Sequence, residues 1–572
     1  MILNIIHRLN LDRVYHCFRY QQDIAHELGL KTTVNIPSTL LRDENKEALD
    51  LLKAEAEKYG DELCLWTMSH RGSETGEFVW LLSEEDKRIS IQKGVDAFKK
   101  YFGYAPKSIL SYVMDSSMIK MIREISPETT TVAAGCFEEG TKVFHGCNNS
   151  WYLFSEGMCW GPWYPSKTHS IRPAKNEEDW AGVVALPHLS RDLALAYEGR
   201  NDFFASHPPN IQRGLVNEKM DHNYDYNLFD QYRLQEDFND GYSYYQFHVS
   251  PGWLHGNPNV LDSDEITAKM YKETLEYALE LKKEGKLIDM TTSEFGEYYR
   301  KNMPIEKPNV ALAKEMLYGS GKHYFWICSP AMRVLVDCNQ GGSIGDFRPF
   351  IGEFEAFTGI DSPMKEMNSY PYLIQSQIRT GAKTHYEDGS RSTLLVKCKD
   401  EEIDCCFVQS KTEKIERNGN NVTLTLTPVE LKFKNGEYAK LQTVYEFTNE
   451  GEIKISRKIL EKTAPVELTE YFKGCIGFTE YPEDMTDVTM FADDESFKFY
   501  YNGQRIDKAG CEKVGAIIPR INTIVALNAD KNIKAEGMAK EGHLFCPYYT
   551  IQLKYDITEE KECVTCLTLT KM

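Results

Sequence analysis

A parallel α/β barrel followed by a large antiparallel β-sandwich is the fold class this chain predicts, on three observations. Up to about residue 305, apolar runs of strand length alternate with amphipathic stretches of helix length. That alternation is the grammar of a parallel sheet, and seven or eight such units imply closure into a (β/α)7-8 barrel. Five of the runs end on a side chain that carries chemistry: His7, His70, Asp115, His188 and His248. From about residue 320 the runs become short and alternating and are broken by turn dipeptides, which marks an all-β half with its own core. The expected division is a catalytic barrel over 1–305, a linker over 306–325 and a β-sandwich over 326–572.

The strands expected in the first half are Ile2–Ile6, Thr32–Ile36, Leu63–Met68, Ser108–Met114, Thr129–Ala134, Val183–Leu186, Tyr244–Phe247 and Leu287–Met290. Between them the periodicity predicts helices over Arg13–Leu28, Asn45–Tyr59, Glu84–Phe102, Ser116–Ile125 and Asp264–Glu284, with a last one over Ser293–Lys301. Asp12 and Asp115 precede two of these as N-cap candidates. Two stretches interrupt the rhythm, 136–181 and 193–241, and both are rich in aromatic, polar and charged residues. Loops of that length in a compact domain are functional or disordered, and the aromatic content argues for function. Trp151, Trp160, Trp163, Tyr164, Tyr224 and Tyr226 are read as walls of a sugar-binding cleft. In the second half, Gly341-Gly342, Asn418-Gly419, Asn435-Gly436, Glu450-Gly451 and Asn502-Gly503 mark hairpin turns.

Sixty-six basic against 86 acidic residues leave a net charge of −20, which excludes nucleic acid and anionic membranes as partners, since both need basic patches. With 42% hydrophobic and 12% aromatic residues the chain can bury a large core. No run of 18 apolar residues exists, so no transmembrane helix is expected. The opening MILNIIHRLNLD lacks a basic stretch followed by a long apolar one. It reads as a first strand rather than a signal peptide, and a cytoplasmic location is expected. Fifteen scattered cysteines read as reduced thiols. Cys405-Cys406 and Cys563-x-x-Cys566 have no second pair of matching spacing, so they read as structural. No Gly-rich phosphate loop, Gly-x-Ser-x-Gly elbow or His-Glu-x-x-His helix is present, which disfavours nucleotide and serine-hydrolase chemistry.

The βα loops of a parallel barrel converge on one face, so residues that each end a strand can meet in one pocket. Eleven of the 14 histidines precede residue 260. Neutral imidazole is the commonest nitrogen ligand of zinc, and three of them leave a fourth position open for chemistry. The expected site therefore holds a divalent metal such as zinc on His7, His70 and His248. Asn10 and Asp12, in the loop after His7, are possible oxygen donors, although Asp12 also has the helix cap as a competing role. Asp115 is the expected nucleophile or general base. Glycosidic cleavage needs a second carboxyl, for which Asp192, Glu138, Glu139, Glu156, Glu236 and Asp237 are candidates. Asp192 is preferred because it lies beside a strand end. His188, Arg191 and Asp192 would position substrate or donate the proton. Asn10, Trp66, Trp160, Trp163, Tyr164, Arg191 and Trp253 would bind it.

The segments Tyr20–Ile36 (YQQDIAHELGLKTTVNI) and Leu65–Gly72 (LWTMSHRG) resemble the polysaccharide deacetylase superfamily, as do Phe102–Glu124 and Phe247–Leu254 followed by Leu275–Phe295. The barrel also resembles, more loosely, that of the alpha-mannosidase-type glycoside hydrolases. The first strand ends Ile-Ile-His-Arg where deacetylases have a Thr-Phe-Asp-Asp type of sequence, and Trp66 stands where their first metal histidine falls. His7 and Asp115 match better the mannosidase-type arrangement of a metal histidine on the first strand and an aspartate nucleophile on a later one. Met332–Asp346 (MRVLVDCNQGGSIGD) resembles the opening of the β-sandwich those enzymes carry. The resemblance implies a carbohydrate-active hydrolase, a glycosidase first, acting on a small imported glycan. Deacetylation of an N-acetylated sugar is the alternative, and a non-catalytic sugar-binding protein on a decayed barrel the third reading.

Overall fold

The structure is a computed structural model that describes residues 1–67, 79, 82–138, 161–188, 190–194, 223–254, 264–317, 319–356, 370–375, 390–475, 487–542 and 548–572. The chain divides into two compact units. The first is Met1–Ile305 with Met316–Tyr318 and Glu355–Ser369; the second is Glu306–Glu315, Gly319–Phe354 and Tyr370–Met572.

The first unit is built on one parallel sheet. Its strands are β1 (Ile2–Arg8), β2 (Thr32–Pro37), β3 (Glu62–Trp66), β4 (Ser108–Met114), β5 (Thr131–Phe137), β6 (Val184–Pro187), β7 (Tyr244–His248) and β8 (Ile288–Asp289), in the order β6-β5-β4-β3-β2-β1-β7 with β8 also on β1. The helices α1 (Tyr15–Glu27), α2 (Lys46–Tyr59), α3 (Glu84–Phe102), α4 (Ser116–Ile125), α5 (Asn223–Arg233), α6 (Pro251–Leu254), α7 (Asp264–Lys283) and α8 (Thr292–Asn302) alternate with them.

The sheet is a half-barrel rather than the closed ring expected. The end of β6 is drawn to β7 where Ser190 N–H donates to the Gln246 carbonyl at 3.0 Å and Gln246 N–H donates to Ser190 Oγ at 2.9 Å. No ladder joins these edge strands among the described residues. β6 is only four residues long and ends on Pro187, which has no N–H to offer. β8 pairs only with Ile2 and Leu3 of β1.

Side chains of a strand alternate between its two faces, and burial identifies which is which here. Ile2, Trp66, Leu110, Ala133, Leu186 and Tyr244 share one apolar cluster with Phe295 and Tyr299 of α8, on the concave face. Residues of opposite parity face the outer helices. α8 seals the concave face from below: Thr291 caps it in a reciprocal capping box with Glu294, and Gly296 lies so close to β5 that a Cβ there would meet Thr131 Oγ1 at 1.9 Å.

The second unit holds an eleven-stranded and a ten-stranded antiparallel sheet. Within the stretch expected to be a linker, Asn309–Lys314 is an edge strand of the larger sheet, paired with His323–Cys328. Burial alternates along strands such as Tyr438–Phe447, as it must where one face is covered. The two sheets meet across a buried ion pair: Arg457 of the smaller sheet binds Glu470 of the larger through Nε and Nη2, at 2.6 and 2.9 Å. Asn418-Gly419 forms an expected turn, Gly419 taking φ +61° between paired strands. The cysteines described are free thiols, as expected. No helix among the described residues is long and apolar enough to cross a membrane.

Candidate functional site

The strand ends of the first unit present chemistry in two places, the concave mouth and the rim. At the mouth, Arg8, His188 and His248 have the inward parity of Ile2, Leu186 and Tyr244. The His188 and His248 rings lie 4.8 Å apart. His248 donates its Nδ1–H to the Ile6 carbonyl at 3.1 Å, which leaves Nε2 as the lone-pair nitrogen, without a hydrogen-bond partner among the described residues. Gln246 donates to the His188 carbonyl and accepts from the Tyr244 hydroxyl, so it ties β6 to β7 directly beneath the ring pair. The Arg8 guanidinium stands 5.2 Å from the centre of the Trp66 ring and donates to Ser250 Oγ at 3.0 Å. Burial lowers both histidines, His248 to about 3 and His188 well below its usual value, and nearby cations (Arg8 for both, Arg191 for His188) add to the effect. Both imidazoles are therefore neutral at physiological pH.

At the rim, Asp115 follows β4 and Glu138 follows β5, side by side, with Glu138 N–H donating to the Met114 carbonyl at 3.2 Å. Asp115 caps α4, as expected: Oδ1 accepts from Met118 N–H at 2.7 Å, and Oδ2 is paired with Lys87 Nζ at 2.7 Å. The Glu138 carboxyl is fully buried. Its Oε1 accepts from the N–H groups of Ser116 (2.6 Å) and Ser170 (3.0 Å), whereas Oε2 has no partner among the described residues. Burial pushes the Glu138 carboxyl up to about 7, and the neighbouring Asp115 adds to the shift. Glu138 also takes φ +57°, a left-handed conformation uncommon in a non-glycine residue. An unpartnered buried oxygen, a raised acid and a strained backbone coincide on one residue, the conjunction that marks functional sites.

Several expected site residues are placed elsewhere. His7 has the outward parity. Its Nδ1–H donates to Gln22 Oε1 of α1 and its Nε2 accepts from the Tyr271 hydroxyl of α7, so both ring nitrogens are used between sheet and helices. Trp163 and Tyr164, expected as cleft walls, are core residues. Trp163 is 1% exposed with Nε1–H donated to the Ser170 carbonyl, and Tyr164 is 2% exposed with its hydroxyl on the Met303 carbonyl. Asp192, the preferred second carboxyl, accepts from the Tyr224 hydroxyl at 2.9 Å, and it is Glu138 that lies beside Asp115. Asp12 is exposed and accepts from Val14 N–H, while Asn10 accepts from Asp12 N–H; both shape the turn before α1 rather than approach His7. Arg191 is buried, its carbonyl accepting from the Tyr232 hydroxyl at 2.8 Å. His70, Trp160, Trp151, Glu139 and Glu156 lie outside the described residues, as does the side chain of Trp253.

Among the described residues the donor set expected for a metal does not assemble. His7 is committed to Gln22 and Tyr271, Asp12 turns to solvent, and no group of three or more His, Cys, Asp or Glu residues suited to a metal is present among the described residues. His188 and His248 are the histidines that do meet.

Two residues were not anticipated from sequence. Arg8 adjoins His7, and alternation puts only one of the two on the concave face. Lys87 falls on the buried stripe of α3 with Ser90, Ile91, Gly94, Val95 and Phe98, a lysine at a core position of the 3.6-residue period and so a readable signal.

The family described as "Domain of Unknown Function with solved-structure structure (DUF3863)" matches residues 29–321, more than half of the chain. No curated protein matches it in sequence. Solved structures with a similar trace include a candidate glycoside hydrolase/deacetylase from Parabacteroides distasonis, at 16% identity and a TM-score of 0.47, covering 64% of this chain and 88% of that one. A candidate polysaccharide deacetylase from Mycobacterium smegmatis matches at 12% identity and a TM-score of 0.32, covering 53% and 91%. The 4-alpha-glucanotransferase from Thermococcus litoralis matches at 13% identity and a TM-score of 0.30, covering 100% and 99%.

Proposed function

We propose that this chain, which belongs to the DUF3863 family, is a carbohydrate-active hydrolase that cleaves a glycosidic bond. One observation carries the reading: Asp115 and Glu138 are neighbouring carboxyls at the strand ends in opposed environments. Asp115 is ion-paired with Lys87, while burial and Asp115 itself raise Glu138 to about 7. Two carboxyls whose environments divide them into a proton donor and a carboxylate are what glycoside hydrolysis requires. In this reading the Glu138 carboxyl gives its proton to the leaving oxygen, and Asp115 acts on the sugar as nucleophile or base. The sugar itself is inferred from the sequence resemblance.

A second reading, removal of an acyl group from a sugar with a divalent cation such as zinc, is favoured by the neutral pair His188 and His248. Nitrophenyl glycosides and N-acetylated oligosaccharides separate the two. Glycosidic cleavage predicts released phenol that is lost in Asp115→Asn; acetate release that survives Asp115→Asn but is lost on chelation and in His248→Ala supports the second reading instead.

A further inference from the structure

Like carboxyls side by side cannot both ionise freely, so something must decide which of them keeps the proton. Glu138 and Asp115 share the Ser116 end of α4: Ser116 N–H donates to Glu138, and Met118 N–H to Asp115. The backbone thus contributes donors to both carboxyls and does not by itself separate them. The asymmetry comes from α3. The Lys87 side chain is fully buried, and its ammonium lies 2.7 Å from Asp115 Oδ2 and 3.0 Å from Glu84 Oε1. No hydrogen bond joins it to Glu138 among the described residues. α3 is fixed in this pose by Ser83, whose side chain accepts from Asp86 N–H and whose carbonyl accepts from Lys87 N–H at 2.8 Å.

We propose that Lys87 is the positioning residue of the carboxyl pair: by binding Asp115 and not Glu138 it makes Asp115 the carboxylate and leaves the proton on Glu138. The inference deepens the glycosidic reading, on which it rests for the use made of that proton; the assignment itself is a property of the folded chain and is tested without substrate. Among the described residues the charged groups that face the ammonium are Glu84 on its own helix and Asp115 at the start of α4. Burial works against the Lys87 charge, but Asp115 and then Glu84 outweigh it, so the lysine stays protonated. It acts as a fixed cation and does not itself transfer a proton.

Infrared spectroscopy of the full-length protein reads the assignment directly, through the C=O band of a protonated carboxyl. At about pH 6 the native protein shows such a band, and it vanishes in Glu138→Gln. In Lys87→Met the proton is shared, and a band that vanishes in the Lys87→Met/Asp115→Asn double variant appears; Lys87→Arg keeps the native pattern. Lys87→Gln, which retains a donor without charge, serves where Lys87→Met does not fold. In active protein the acid limb of the pH profile moves up by about one pH unit or more in the uncharged variants. An unchanged Glu138 band with no Asp115 band in both uncharged variants overturns the proposal. Absence of glycosidase activity in the native protein, with the bands behaving as described, overturns only the glycosidic reading.

Discussion

Burial sets the charge of three residues, and the resulting pH dependences have opposite signs. His7 is lowered to about 4 and His248 to about 3, chiefly by desolvation. Between those values and the unfolded value near 6.5 the unfolded chain holds protons that the folded chain does not. The stability these groups contribute is therefore present above about pH 6.5 and is lost as pH falls toward 4 and 3. Glu138 runs the other way: raised from 4.5 to about 7, it is protonated in the fold over a range where the unfolded chain is not, so its presence lowers stability as pH rises through that range. Glu138→Gln keeps the shape and removes the titration. Denaturant unfolding of the two proteins across pH 4–8 should show the variant gaining on the native protein by on the order of 3 kcal/mol between pH 4.5 and 7. A constant difference would mean that Glu138 is an ordinary carboxylate. At this scale the sequence was half legible: it marked the residues that end strands, but not which face each side chain takes. His7 and Arg8 are adjacent, and only alternation against Ile2 and Trp66 shows that the arginine, not the histidine, reaches the mouth. Glu138 was one candidate among several because burial and an empty oxygen have no sequence signature.

The elements themselves were legible, because their signals are local. α4 begins after Asp115, the cap expected there, whereas α3 is capped by Ser83, which had not been singled out, and α1 begins after Val14 with no side-chain cap from Asp12. What periodicity did not foretell is how closely elements approach. α8 crosses β5 with Gly296 against Thr131, where an added Cβ would lie 1.9 Å from Oγ1. Gly296→Ala should therefore destabilise the protein by about 1–3 kcal/mol despite the better helix propensity of alanine. Thr131→Ala in the same chain should recover much of that loss, as a thermal melt of the two variants and the double variant would show. Additive losses would place the helix farther from the strand. Barrel closure is a different matter: counting alternating units shows how many strands exist, and among the described residues no ladder joins the four-residue β6, which ends in Pro187, to β7.

At the scale of the whole molecule, the change of grammar near residue 320 reports two kinds of sheet: parallel strands with crossover helices, then antiparallel strands joined by turns. The interior of the second unit was not legible. Arg457 and Glu470 sit on strands that read as simple alternation, yet both are buried and bound to each other across the two sheets. Arg457→Met should cost about 3–5 kcal/mol by leaving Glu470 buried without its cation, and Arg457→Met/Glu470→Leu should restore most of it; urea unfolding of the single and double variants decides. Proton donation by Glu138 to a sugar's leaving group is tested by comparing Glu138→Gln with the native protein on two glycosides of one sugar. An alkyl aglycone needs the acid, whereas a dinitrophenyl aglycone leaves without it. With Glu138 as the proton donor, kcat/KM falls about 10²- to 10⁴-fold on the first and changes little on the second. Equal losses on both substrates, or none on either, would contradict it.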